Sequence, residues 1–294
     1  LSYTTFAQDI PIINSIIKIF SDKEKTLADA EEFVEPLNMV VESNGTTITI
    51  NESLFDSNKF TVGYTIETAK DLGDDIQLKG EFTLKGHDYS LHQGDFHRLE
   101  KVGENQYVGL SIATLPINTS LQEANFEFNI AKISSEDQKE TIDGNWNFNL
   151  HAKATENTAH NVHGVSLKDD LSIQINQITY TPFSFTINYK EVIKNQELIE
   201  KWDLIASDLN VKDNLGNTYS SRVDGGSGDV PGEMNIMVTF EKLHPDAKTL
   251  IITPSFRLME AYSVDENGVK MFDYNSDSPK ELIELEDIIV EIEK

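Results

Sequence analysis

Thr46-Thr47-Ile48-Thr49-Ile50, followed by Phe60-Thr61-Val62-Gly63-Tyr64-Thr65-Ile66, alternates polar and apolar side chains along the chain. Successive side chains of a strand point to opposite faces, so a period of two predicts two half-buried strands joined as a hairpin. The pattern recurs later. Thr47–Tyr64 aligns without gaps on Ser172–Tyr189: Ile48 meets Ile173, Ile50 meets Ile175, Phe60 meets Phe185, Thr61 meets Thr186 and Tyr64 meets Tyr189. Asn51 meets Asn176, a match outside the apolar pattern, which two unrelated amphipathic hairpins have no reason to share. A repeat on this scale predicts duplicated domains rather than a solenoid, whose period is shorter.

Working outward, further strands are predicted over Gln77–Leu84, Gln106–Ala113, Asn125–Ile133 and Trp146–Ala152 in the first half. In the second half they fall over Leu171–Thr179, Phe183–Tyr189, Leu204–Val211, Asn235–Phe240 and Thr249–Phe256, with the alternating tail Leu282–Ile292 read as one more. Turn signals such as Lys85-Gly86-His87-Asp88 and Asp143-Gly144-Asn145 separate them. Short strands at this spacing predict sandwiches rather than strand–helix–strand units. The expected fold is all-β: two immunoglobulin-like sandwiches in tandem, over residues 37–156 and 160–294, behind a short helical arm over residues 1–36. The small, polar run Lys153-Ala154-Thr155-Glu156-Asn157-Thr158-Ala159 marks the boundary. Within the arm, Ile10, Ile13, Ile17 and Phe20 share one helical face, and Asp9 and Pro11 suit its first turn. That face either packs on the first sandwich or lies at a membrane surface. A second helical stretch is expected over Leu27–Val34, ending before Pro36.

The chain has 294 residues, enough for two domains that each bury a core. Its 50 acidic against 24 basic residues give a net charge of −26, which argues against nucleic acid and against direct docking on anionic lipid. There is no cysteine, so disulfides, thiol catalysis and cysteine-ligated zinc are excluded. No run approaches the roughly 20 apolar residues of a membrane span. The chain opens on Leu1 rather than Met, and the expectation is a fragment or processed chain whose upstream part lies outside this sequence.

Candidate chemistry is sparse. His87, His92 and His97 recur at a spacing that suits ligands on neither a strand nor a helix, and are read as surface histidines. His160 and His163 stand three apart in the expected linker, without the acidic residue of a metalloprotease helix. Asp213-Asn214-Leu215-Gly216-Asn217 resembles the start of a calcium loop, but Arg222 stands where the closing Glu would be, and a tight turn is expected instead. Asp224-Gly225-Gly226-Ser227-Gly228-Asp229, within the most glycine-rich stretch, is read as a mobile loop and the candidate interaction site. No Gly-x-Ser-x-Gly elbow occurs, and no carboxylate pair stands out among so many. Trp146 and Trp202 are read as core or rim residues. No catalytic residue, cofactor or metal is expected.

Phe6-Ala7-Gln8-Asp9-Ile10-Pro11-Ile12-Ile13 and Ile16-Ile17-Lys18-Ile19-Phe20 resemble the segment that follows the single transmembrane helix of membrane-anchored anti-sigma factors of Gram-positive bacteria. Ile48–Glu52, Phe60–Ile66 and Asp143-Gly144-Asn145-Trp146-Asn147-Phe148 resemble strands of their extracytoplasmic domain, and Leu171 onward resembles the second domain that follows it. Both domains are labelled only as of unknown function. The resemblance spans nearly the whole chain, rests on structural motifs, and carries over no catalytic residue. It implies an extracytoplasmic sensory or interaction region, single-pass anchored through an upstream transmembrane helix. It also implies a sigma factor held by a cytoplasmic segment not in this sequence, and an unidentified extracytoplasmic ligand or protein as partner. The alternative expectation is a secreted or cell-surface structural or adhesive module.

Overall fold

The structure, a computed structural model, describes residues 15–86, 91, 96–117, 119–261, 263–264, 268–272 and 281–292. Its internal contacts divide the chain into two compact units, Leu1–Glu156 and Asn157–Lys294.

In the first unit, helix α1 (Ile16–Phe20) and two 3₁₀ turns (Lys25–Leu27 and Glu31–Phe33) precede the strands. These are β1 (Glu35–Ser43), β2 (Thr46–Phe55), β3 (Lys59–Glu67), β4 (Ile76–Leu84), β5 (Phe96–Gly103), β6 (Gln106–Thr114), β7 (Glu123–Ser135) and β8 (Glu140–Lys153). One sheet has the order β1-β2-β3-β6-β5, the other β4-β7-β8, and every pairing is antiparallel. Omitting β1, this is the two-sheet order of an immunoglobulin constant domain with one strand added ahead of it. The alternation in the sequence explains the layers. Ile48, Ile50, Phe60, Val62, Tyr64 and Ile66 turn inward from β2 and β3 to meet Phe82, Phe126, Phe128, Trp146 and Phe148 from the facing sheet. Phe60 stacks on Phe126 and Phe82 on Phe128, with ring centroids 4.2 and 4.1 Å apart. Trp146 is fully buried and its indole N–H donates to the Thr46 carbonyl at 3.0 Å.

The second unit repeats the plan. Its strands are β9 (Thr158–Lys168), β10 (Leu171–Tyr180), β11 (Ser184–Ile193), β12 (Leu204–Asp213), β13 (Ser221–Val230), β14 (Glu233–Glu241), β15 (Thr249–Met259), β16 (Ser263–Val264), β17 (Lys270–Met271), β18 (Glu281–Glu284) and β19 (Ile288–Glu291), with helix α2 (Gln196–Lys201) between β11 and β12. One sheet runs β9-β10-β11-β14-β13. The other runs β12-β15-β18, with β19 also pairing β15. The sheet orders match those of the first unit, with β18 and β19 together at the place of β8 and the pair β16–β17 outside that plan, so the repeat in the sequence is a repeat of the sheet topology. Its core draws Ile173, Ile175, Phe185, Ile187 and Tyr189 against Leu209, Val211, Ile252 and Phe256.

The shared asparagine has a physical meaning. The β2–β3 register shifts between Ile50 and Glu52, and the β10–β11 register between Ile175 and Gln177, so Asn51 and Asn176 are each the extra residue of a β-bulge. The hairpin turns also correspond. Asp56 Oδ1 accepts the Asn58 and Lys59 N–H groups at 3.0 and 2.6 Å, and Thr181 Oγ1 accepts those of Phe183 and Ser184 at 3.4 and 3.0 Å. Asp and Thr make the same local turn with different side chains.

Three expectations change. The expected boundary run is short in fact, because β8 continues through Lys153 and β9 begins at Thr158, so His160 and His163 lie on an edge strand. The tail is two short strands rather than one. The expected helix over Leu27–Val34 is two 3₁₀ turns.

Candidate functional site

The arm is the first place where polar and apolar groups converge. Ser15 caps α1, its Oγ accepting the Lys18 N–H at 3.3 Å. Glu52, on the outer face of β2, accepts from Ser15 Oγ at 3.1 Å and from the Ile17 N–H at 2.7 Å. Burial pushes the Glu52 carboxyl above its usual range, and those two donors pull against that shift. Opposite Glu52 on β3 stands Gly63, where a Cβ would come within 3.0 Å of Ile16 Cβ and 2.9 Å of Glu52 Cγ. A glycine here lets the helix backbone approach the sheet. Ile17 and Phe20 are fully buried, as are Val108 and Leu110 on the outer face of β6, which α1 contacts. Ile10 and Ile13, the other two residues of that sequence-predicted face, lie outside the described residues. Further along, Glu24 pairs with Arg98 at 2.9 Å and Lys23 pairs with Glu100, both partners on β5.

A cleft of about 390 Å³ is the second feature, and it lies wholly in the second unit. His160, Asn161, Val162, His163 and Gly164 of β9 form one wall, Ile289, Val290 and Glu291 of β19 the other, and Tyr180 an end. A bulge shapes it. The β9–β10 register runs from Ile175 opposite Gly164 to Gln177 opposite Asn161, so Val162 and His163 both face Asn176. In the first unit Leu37 and Asn38 stand against Asn51 in the same way, and there Leu37 and Met39 pack on the core. The second unit has Val162 and Gly164 at those places, and Gly164 is required by close approach: a Cβ there would lie 2.3 Å from Ile288 Cγ2. Beside the cleft, Ser166 Oγ donates to the Glu286 carbonyl at 2.7 Å, which ties β9 to the break between β18 and β19. Sequence reasoning set His160 and His163 aside and missed this cleft. The signal was the register of the repeat, which puts small residues where the first copy has large ones.

The glycine-rich stretch is not a loop. Asp224, Gly225, Gly226, Ser227, Gly228 and Asp229 all lie on edge strand β13, paired with β14. Its register shifts twice, between Val223 and Gly225 and between Ser227 and Val230. Gly225 has φ +145, and a Cβ on Gly228 would lie 2.1 Å from the Glu233 carbonyl oxygen. The glycines therefore serve bulges, which twist an edge away from further pairing. Asp224 is buried and accepts both Nε and Nη2 of Arg222, at 3.0 and 2.8 Å, and a hydroxyl from Thr239.

Two other polar groups have structural partners. His97 points inward rather than to the surface, with Nδ1 2.6 Å from Ser111 Oγ and Nε2 3.2 Å from the Gly80 carbonyl. Ser111 Oγ is also 3.1 Å from the Tyr64 hydroxyl. Burial lowers the His97 pKa. A serine beside a histidine suggests a nucleophile and base, but Ser111 is fully buried between the sheets, where no substrate reaches it. His87 and His92 lie outside the described residues. The Asp213 carboxylate accepts from Leu215 N, Asn217 N, Asn217 Nδ2 and the Tyr219 hydroxyl. Burial opposes its ionisation, yet those donors hold its pKa down at about 2. It organises a turn, with Gly216 at φ +90. Among the described residues no group of three His, Asp or Glu side chains could hold a metal ion, and no helix is long and apolar enough to cross a membrane.

A crystal structure of the conserved domain protein from Bacillus anthracis is similar to this chain: 31% identical, over 90% of this chain and 94% of that one, with a TM-score of 0.78. The chain belongs to that protein's family. Two family models match in tandem, the Domain of unknown function (DUF4179) over residues 1–68 and the Family of unknown function (DUF5643) over residues 157–291. The crystal structure of collagen adhesin (CNA) from S. aureus has a TM-score of only 0.16 to this chain, with 11% identity over 87% of this chain and 94% of that one. No curated protein matches. Within the family, the span of the first model takes in the arm together with Glu52 and Gly63, its two contacts on the sheet. The second spans the whole second sandwich up to β19, cleft included.

Proposed function

We propose that this chain is the extracytoplasmic sensory or interaction region of a membrane-anchored regulator of the anti-sigma kind, acting by binding rather than catalysis. The observation that carries this reading is the arm. A segment resembling the stretch after a transmembrane helix is fixed to the first sandwich through the buried Glu52 carboxylate, so sandwich and membrane-proximal chain are mechanically joined. The tandem match to two domains of unknown function supports the same reading. The net charge of −26 favours a cationic or neutral partner.

The test is affinity purification of the full-length protein from its host's membranes, with co-purifying proteins identified. Recovery of a sigma factor that disappears when the cytoplasmic segment is deleted supports the regulator. Recovery of the protein from medium or cell wall, with no sigma factor attached, overturns it and leaves a surface module.

A further inference from the structure

The arm and the first sandwich do not share one core. The inner cluster of the first unit is built from β2 to β8, and none of residues 15–33 belongs to it. The arm's buried side chains, Ile16, Ile17, Phe20, Leu27 and Ala30, form a separate layer on the outside of the five-stranded sheet. Its helical pieces are one of five residues and two of three. Segments so short do not hold a helical form alone, so the arm keeps its shape only while docked. Polar attachments among the described residues sit on Glu52 at one end and on Arg98 and Glu100 of β5 further along.

The second sandwich completes the same strand order with Gln177 at the place of Glu52 and Asn188 at the place of Gly63. The architecture itself therefore does not call for the carboxylate or the glycine. Both are specific to the copy that carries the arm.

We infer that residues 15–33 form a releasable strap, latched to the first sandwich by Glu52 and seated on Gly63, which detaches as a unit while the sandwich stays folded. Tension on the chain ahead of Ser15 acts on the strap before it acts on any strand. Peeling the strap leaves the inner core untouched and uncovers the apolar outer surface of β6, at Val108 and Leu110. Such partial opening is what native-state exchange detects as a low-stability cooperative unit. The inference stands apart from the sigma-factor reading, because it concerns the chain's own opening and not what the chain is joined to.

The experiment is native-state hydrogen–deuterium exchange on the whole chain. The expected result is that the amides of residues 16–30 exchange at least tenfold faster than those of β2, β3 and β6. Glu52→Ala should accelerate the strap by a further tenfold or more while leaving β3 and β6 unchanged, and Glu52→Gln, which keeps the acceptor, should have a smaller effect. Gly63→Ala should also accelerate the strap at least tenfold while leaving β6 unchanged, because the added Cβ would stand about 3.0 Å from Ile16 Cβ and 2.9 Å from Glu52 Cγ and must push the arm outward. Equal protection of strap and sandwich in the wild type would overturn the inference, as would a Gly63→Ala variant whose strap exchanges at the wild-type rate. If Glu52→Ala fails to fold, Gly63→Ala and the wild-type profile still decide.

Discussion

Glu52 and His97 are both buried in the first sandwich, and burial moves their titrations in ways that oppose each other as pH falls. The native state holds the Glu52 proton above the ordinary carboxyl value of 4.5, because burial raises that group. Glu52 therefore contributes fully below 4.5, and its contribution is lost as pH rises through the raised folded value. Glu52→Gln should flatten the loss of stability that sets in as pH rises above 4.5. The reporter is Trp146 fluorescence during urea unfolding in a Trp202→Phe background, since Trp146 is fully buried in this sandwich. A variant with the wild-type slope would show that Glu52 titrates normally. His97 has the opposite sense. Its folded pKa lies below 6.5, so the unfolded chain takes up a proton first and stability falls as pH drops below 6.5. His97→Gln should remove that fall, measured by the same fluorescence at pH 7, 6 and 5.

At the scale of elements, the bulged edge strand β13 is the clearest case of a misread pattern. Glycine with serine and aspartate normally marks a loop, and the sequence gives no other cue. Here Gly225 supplies a bulge conformation at φ +145 and Gly228 a position where a Cβ would strike the Glu233 carbonyl of β14, so both are part of the pairing. A side-chain tie between the edge and β14 runs through buried Asp224, which accepts the Thr239 hydroxyl of β14 and pairs with the partly buried Arg222 of its own strand. Asp224→Ala should destabilise the second sandwich by about 2–3 kcal/mol, less than for a wholly buried pair because Arg222 keeps contact with water. Urea unfolding followed by Trp202 fluorescence checks it, and a loss under 0.5 kcal/mol would mean the edge is held by backbone pairing alone. The central hairpins, by contrast, were legible because Ile48 and Ile50, Phe60, Val62, Tyr64 and Ile66, Ile173 and Ile175, and Phe185, Ile187 and Tyr189 each recur at every second position of an unbroken run. Edge strands lose that signal. β9 has Asn161, His163, Val165 and Leu167 all exposed, and only Ser166 fully buried, so half of its pattern is noise. The strap was legible as a helical face from Ile17 and Phe20. Glu52 was not, because a single acidic residue in an alternating strand looks like any solvent-facing position until the segment covering it is known. The cleft was hidden for a related reason: it depends on what Val162 and Gly164 replace in the other copy.

At the scale of the whole molecule, charge dominates. Fifty acidic side chains against 24 basic ones give −26 spread over 294 residues, and the ion pairs that do form are mostly exposed. Exposed pairs are each worth little, so they offset only part of the repulsion among unpaired carboxylates. Salt screens exposed charges beyond about 10 Å at 0.1 M, which weakens attraction within a pair less than repulsion summed over the surface. The chain should therefore become more stable as sodium chloride rises from 20 to 300 mM, with the thermal midpoint climbing by about 3–6 °C, roughly 1 kcal/mol for a domain of this size. Differential scanning calorimetry at pH 7.5 measures it. A falling midpoint would mean that attractive pairs such as Glu24–Arg98 and Lys101–Asp71 outweigh the net charge, so that the acidity is locally compensated rather than a long-range field. A rising midpoint would mean that the field remains largely unscreened at low salt and is available to draw a cationic partner toward either sandwich.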